Sequence, residues 1–177
     1  LGNLATAHPD YSLVKALAHM IGEAAGATLG FLPEAANSVG ACLAGALPQG
    51  LPGAKPAPEG GLPVSELLAR PRSAYLLWGL EPAYDSADPA ALNAALGQAE
   101  FVVACTAYRC PSLESVAEVM LPIAGFAETS GTYVNAEGRW QVFRGAVAPP
   151  GDARPGWKVL RVLGNQLGLE GFDYVAT

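Results

Sequence analysis

The stretch Ala74–Pro122, AYLLWGLEPAYDSADPAALNAALGQAEFVVACTAYRCPSLESVAEVMLP, decides the fold. Ala74 to Leu80 is a continuous apolar run ending in Glu81-Pro82, which reads as a buried strand. Asp88-Pro89 opens a helix through Ala99, with Asp88 as cap and Pro89 at the first helical position, where a backbone N–H is not needed. Phe101 to Cys105 (FVVAC) is a second buried strand, Ser112 to Ala117 a short helix, and Val119 to Leu121 a third strand stopped by Pro122. Strand, helix, strand, helix, strand with apolar residues on both strand faces predicts an α/β fold. The expected architecture is three-layer, a mostly parallel sheet flanked by helices.

Upstream, Tyr11 to Ala27 predicts a helix. Asp10 or Ser12 can cap it, Leu13, Leu17, Ile21 and Ala24 form an apolar stripe, and Gly26 and Gly30 bracket its end. Residues 48–63 (PQGLPGAKPAPEGGLP) are too rich in Pro and Gly for helix and disfavour sheet, so they read as a loop or linker. A short helix resumes at Val64 to Ala69, with Ser65 near its start. Downstream, a turn-rich segment from Pro149 leads to a last helix from Pro155 to about Gly168, with Trp157, Leu160, Leu163 and Leu167 at helical spacing. No internal repeat is visible. The whole span 1–177 reads as a fragment of one α/β domain.

Of the 177 residues, 51 % are hydrophobic and only 15 % charged, against a usual charged share of about 25 %. So few charges imply surface that other protein normally covers. The net charge of −6 and the lack of a Lys/Arg cluster argue against nucleic acid as a partner. No apolar run approaches the ~20 residues of a membrane span, and no signal peptide is present, so no direct membrane span is expected. The sequence begins at Leu1 and reads as an excised piece of a longer protein. Cys42, Cys105 and Cys110 are odd in number and badly spaced for a disulfide framework, a cluster or a zinc site. They are expected to be buried, reduced thiols, which implies a cytoplasmic setting.

A parallel sheet gathers ligands at the carboxyl ends of its strands. Three segments should meet there: Gly79 to Asp85, Thr106 to Pro111, and Pro122 to Arg144. No G-x-G-x-x-G and no P-loop follows a strand. His8 and His19 read as structural. Ser130 lacks the G-x-S-x-G elbow and no histidine follows it, so hydrolase chemistry is not expected. Glu128, Asn135, Glu137 and Arg139 remain. Either they lock an irregular loop or they cradle a bulky polar cofactor. In the first case Asn135 supplies turn hydrogen bonds, Gly138 takes a positive φ, and Arg139 clamps Glu128 or Glu137.

The run Gly79-Leu80-Glu81-Pro82, the run Ala117-Glu118-Val119-Met120-Leu121-Pro122, and Glu128 to Arg139 (ETSGTYVNAEGR) resemble the molybdopterin oxidoreductase family. That family carries Gly-x-Asn-Pro, Ala-Asp-Val-x-Leu-Pro and Glu-x-x-Gly-Thr-x-x-Asn-x-Glu-Gly-Arg at these places. Leu32 to Pro48 and Phe126 to Tyr174 are similar to the large iron–sulfur subunits of NADH-quinone oxidoreductases, the respiratory complex I enzymes. The resemblance implies the Rossmann-like domain of the molybdopterin oxidoreductase fold. It also implies a structural role in the peripheral arm, on the cytoplasmic side of the bacterial inner membrane.

Iron–sulfur clusters of the parent protein would lie elsewhere and carry electrons from NADH to quinone. Within this stretch no cofactor, no metal and no catalytic residue is expected. The partners implied are other domains of the same subunit and other complex I subunits. Catalytic relatives bind a molybdopterin guanine dinucleotide (bis-MGD) partly through these loops, so a bis-MGD-binding fragment is the alternative. A generic Rossmann-like small-molecule domain is a third reading. Glu81, Glu128, Thr132, Asn135, Glu137 and Arg139 are then the candidates for a vestigial site. Departures from the family pattern are Glu81 in place of Asn, Cys105 where Asp is common, and Pro111-Ser112-Leu113-Glu114 in place of a Glu-Thr segment. An acidic Glu81 would repel a polyanionic cofactor.

Overall fold

The computed structural model describes residues 1–6 and 8–175. In chain order its elements are α1 (Tyr11–Ala25), α2 (Ser38–Ala44), β1 (Gly50–Leu51), β2 (Lys55–Pro56), α3 (Val64–Ala69), β3 (Ala74–Trp78) and α4 (Pro82–Asp85). There follow α5 (Pro89–Leu96), β4 (Phe101–Thr106), α6 (Pro111–Glu114), β5 (Val119–Pro122), β6 (Gly131–Val134), β7 (Trp140–Phe143) and α7 (Gly156–Gln166). They form two compact units, one of Leu1–Gly61 with Thr132–Val142, the other of Leu62–Gly131 with Phe143–Thr177.

The second unit is the α/β body. Strands β3, β4 and β5 form a parallel sheet with β4 at its centre. The register pairs Leu77 with Ala104 and Ala104 with Met120. Because side chains alternate along a strand, Tyr75, Leu77, Val102, Ala104 and Met120 share one face. That face meets Leu92 and Leu96 of α5 and Leu113 of α6 in the core. Leu113, Val102 and Ala104 are completely buried. At the start of α5, Asp88 Oδ1 accepts from Ala91 N–H at 2.9 Å, the predicted cap. The helix stops at Gly97, short of the predicted Ala99. At the start of β5, the Glu118 carboxylate accepts from Val102 N–H. This ties β5 to the central strand by a side chain.

The opposite face is less fully covered. Trp78 packs on the first turn of α7, where a Cβ on Gly156 would come within 2.6 Å of the indole. Leu76, Phe101 and Val119 are exposed. The apolar run of β3 predicts a buried strand, yet only Leu77 within it is buried. The reason is the face: Ala74, Leu76 and Trp78 point to the sparsely covered side of the sheet, where Phe101 of the central strand is exposed as well.

In the first unit, α1 ends on Gly26 in the left-handed region (φ 63°), as its sequence indicates. Asp10 occupies the cap position but its side chain makes no capping bond; its N–H donates to His8 Nδ1 at 3.0 Å. The stripe Leu13, Leu17, Ile21 is solvent-exposed. Helix α2, which the sequence pattern does not signal, ends on Gly45 (φ 77°). The Pro/Gly segment, whose composition disfavours sheet, holds a two-residue antiparallel ribbon of β1 and β2. Gly53 and Ala54, both at positive φ, let the backbone reverse there. Strands β6 and β7 form a separate two-stranded sheet.

Candidate functional site

Parts of the three predicted segments converge at the carboxyl end of the parallel sheet, the third of them only as far as Glu128. A cavity of about 250 Å³ is lined by Gly79 and Glu81 after β3, by Thr106 to Tyr108 after β4, and by Ile123 to Phe126 after β5. A second cavity, of about 330 Å³, shares Ala107, Tyr108, Ile123 and Gly125 and adds Glu128 and Asp152. The crevice exists because each strand ends by turning sharply. After β3, Gly79 takes φ 58° and its N–H donates to Cys105 O at 2.8 Å. Glu81 then heads the short α4, and its N–H donates to Asp85 Oδ2 at 2.7 Å. After β4, the buried Thr106 hydroxyl donates to Tyr108 O at 2.8 Å and accepts from Tyr108 N–H at 3.1 Å.

After β5, Ile123 pairs with Arg154, and Ala124 N–H donates to Arg154 O at 2.8 Å. Glu128 closes a 3-10 turn on itself. Its carboxylate accepts from Gly125 N–H at 2.9 Å, while its own N–H donates to Gly125 O at 3.0 Å. The charged side chains lining these two cavities are therefore Glu81, Glu128 and Asp152, all carboxylates. Arg109 lines an adjoining cavity and is paired with Glu114 at 2.5 Å.

The remaining candidates lie in the other unit, around the β6–β7 connection. Asn135 organises it. Its Oδ1 accepts from Glu137 N–H at 3.0 Å and Arg139 N–H at 2.9 Å. Its backbone N–H donates to Arg139 O at 3.2 Å and its carbonyl accepts from Gly138 N–H at 2.9 Å. Gly138 has φ 79°, so the turn reading of both residues holds. The Arg139 clamp does not: both Glu137 and Arg139 are exposed, and among the described residues Arg139 has no ion pair. A tight turn points neighbouring side chains outward, and the close neighbour of Arg139 is Asn135 backbone. Thr132 lines a small cavity with Gly40, Leu43, Ala44, Val134 and Trp140.

Sequence reasoning missed two anchors here. Asn37 Oδ1 accepts from Val134 N–H at 2.8 Å across 97 residues of sequence. Thr106, the buried polar residue of the sheet, holds its own loop. Nothing in the local pattern marks Asn37, because its partner is remote. The cysteines are all free; Cys105 is buried and Cys110 half-buried, but Cys42 is exposed, contrary to expectation. Burial raises the Cys105 thiol pKa above its ordinary value, so it stays a protonated apolar filler.

This convergence of three loops is the geometry expected from the motifs, and comparison with known proteins agrees. The molybdopterin oxidoreductase family model matches residues 3–166. The chain belongs to the molybdopterin oxidoreductase family. The G subunit of the NADH-quinone oxidoreductase of Streptomyces coelicolor is 37 % identical over 149 residues, 71 % of this chain and 17 % of that protein. The equivalent G subunit from Mycobacterium bovis is 31 % identical over 176 residues, 84 % of this chain and 21 % of that protein. The F420-dependent formate dehydrogenase subunit alpha of Methanocaldococcus jannaschii is 30 % identical over 159 residues, 78 % of this chain and 23 % of that protein. Within the family, the sequence is thus similar to a region of the NADH-quinone oxidoreductase G subunits, and it spans less than a quarter of the length of these relatives.

Proposed function

We propose that residues 1–177 are a structural region of the large iron–sulfur subunit of a NADH-quinone oxidoreductase, part of one molybdopterin-type domain. Electrons from NADH pass to quinone through clusters elsewhere in that subunit. The region holds no pterin dinucleotide, performs no chemistry and sits in the peripheral arm on the cytoplasmic side of the membrane. It presents apolar surface to other domains of the subunit and to other complex I subunits.

The observation that carries this reading is the charge of the crevice. A guanine dinucleotide brings phosphates, and its binding calls for cations or free backbone donors. Glu81, Glu128 and Asp152 line the two cavities instead. Gly125 N–H is already taken by Glu128 and Glu81 N–H by Asp85. The Asn135 loop is likewise saturated by its own bonds. These residues do not fit the group. The exposed Leu13, Met20, Ile21, Leu76 and Trp140 support the assembly part of the reading. Among the described residues no helix is long and apolar enough to cross a membrane.

The test is chemical analysis of the full-length protein and of fragment 1–177. The expected result is iron in the former, no stoichiometric iron in the latter, and no pterin guanine dinucleotide released from either by denaturation. Similarity to a formate dehydrogenase subunit favours the alternative, a bis-MGD-binding fragment. Release of one pterin dinucleotide or more per full-length protein would establish it instead.

A further inference from the structure

Helix α7 borders a trough of about 500 Å³ lined by Leu121, Val159, Val162 and Leu163 and by three cations, Arg154, Lys158 and Arg161. The protein is acidic and has ten basic residues in all, so three facing one cavity is a concentration of charge. No carboxylate lines the trough. Among the described residues, none of the three cations forms an ion pair. Arg154 spends one nitrogen on Gly151 O at 3.2 Å and Ala153 O at 2.8 Å. Lys158 hangs 5.3 Å from the Trp157 ring centre, and Arg161 donates to Tyr174 O at 3.3 Å. Arg161 Nε is shielded from solvent and has no acceptor among the described residues. Unpaired cations beside partly exposed apolar side chains complement a surface that is both acidic and apolar.

We propose that this trough docks an acidic protein segment carrying apolar side chains. Charge complementarity selects acid. Extent selects a segment over a small anion: Lys158 and Arg161 are about 4.5 Å apart along the helix axis, with Arg154 beyond the helix start. One carboxylate or phosphate cannot meet all three and also cover Val159, Val162 and Leu163. Carboxylates at one-turn spacing with aliphatic residues between them do both. The inference deepens the assembly reading and rests on it.

The test places a photo-crosslinking benzoylphenylalanine at Val162, 45 % exposed, in the full-length protein within its native complex. Mass spectrometry then identifies the attached peptide. The expected adduct is a single segment rich in Asp or Glu interleaved with Leu, Ile or Val. Lys158→Glu should lower its yield about tenfold, and an acid-to-Lys change in the captured segment should restore it. A lipid or small-molecule adduct, a neutral or basic segment, or a yield indifferent to Lys158→Glu would overturn the proposal. Isolating the complex through other subunits separates the two failures. If the unlabelled protein is absent, the assembly reading falls and takes this inference with it. If it is present and Val162 captures nothing, only this inference falls.

Discussion

Replacing Asn135 by Ala removes one oxygen that two backbone N–H groups share, those of Glu137 and Arg139. Each such bond contributes about 0.5–1.5 kcal/mol net, so the pair contributes about 1–3 kcal/mol. Both donors lie at exposed positions and can turn to water, which puts the expected loss in the lower half, about 1–1.5 kcal/mol. Gly138 at φ 79° does not compensate, because it supplies conformation and no acceptor. The assay is amide hydrogen exchange in the native state. In Asn135→Ala the Glu137 and Arg139 amides should exchange about tenfold faster, with the Val102 amide unchanged. Asn135→Asp keeps the acceptor oxygen and should retain protection. If Asn135→Ala leaves both amides as protected as before, or if Asp loses as much as Ala, the turn is not held by this side chain. The reading of Asn135 as a self-contained lock would then be wrong.

Leu113→Ala empties a fully buried position and should cost about 3–5 kcal/mol by urea unfolding, whereas Leu76→Ala, at an exposed strand position, should cost under about 1 kcal/mol. Gly164→Ala sets two effects against each other. Helix propensity favours Ala by about 1 kcal/mol. The new Cβ, however, would overlap the Phe172 ring and free the tail that holds the Tyr174-to-Trp157 bond, so net destabilisation of about 1–2 kcal/mol is expected by calorimetry. In the folded protein Cys105 keeps its proton where the unfolded polypeptide releases it. Its contribution is therefore complete below about pH 9 and declines as pH rises toward the elevated folded value. A Cys105→Ala variant should show a shallower alkaline loss of stability, and iodoacetamide should label Cys42 long before Cys105.

The parallel sheet was legible because its strands are short apolar runs set between a Pro stop, an Asp-Pro helix start and another apolar run. Gly26 and Gly138 were legible for a similar reason: a tight reversal leaves a local residue signature. Helix α2 and the β1–β2 ribbon were not. Their sequences, SVGACLA and a Pro/Gly run, carry weak or contrary propensity, and neither buries a side chain. The Glu118-to-Val102 bond also escaped, since a carboxylate at a strand start looks like surface until its partner is known.

The candidate site divides the same way. Sequence alone determined the family, the order of strands and helices in the parallel-sheet segment and the loops that leave its strands. These follow from local patterns of apolarity, Gly and Pro. Tertiary structure decided which strand is an edge, which apolar stripe stays bare, and which charges share a cavity. Glu81, Glu128 and Asp152 are far apart in the sequence, and only folding sets Glu128 and Asp152 on one cavity and Glu81 on the cavity beside it. Arg154, Lys158 and Arg161 are close in sequence, but only folding shows that they stand beside apolar side chains with no acid to answer them. Charge pairing depends on distances of a few ångströms between remote residues, and no local pattern encodes those.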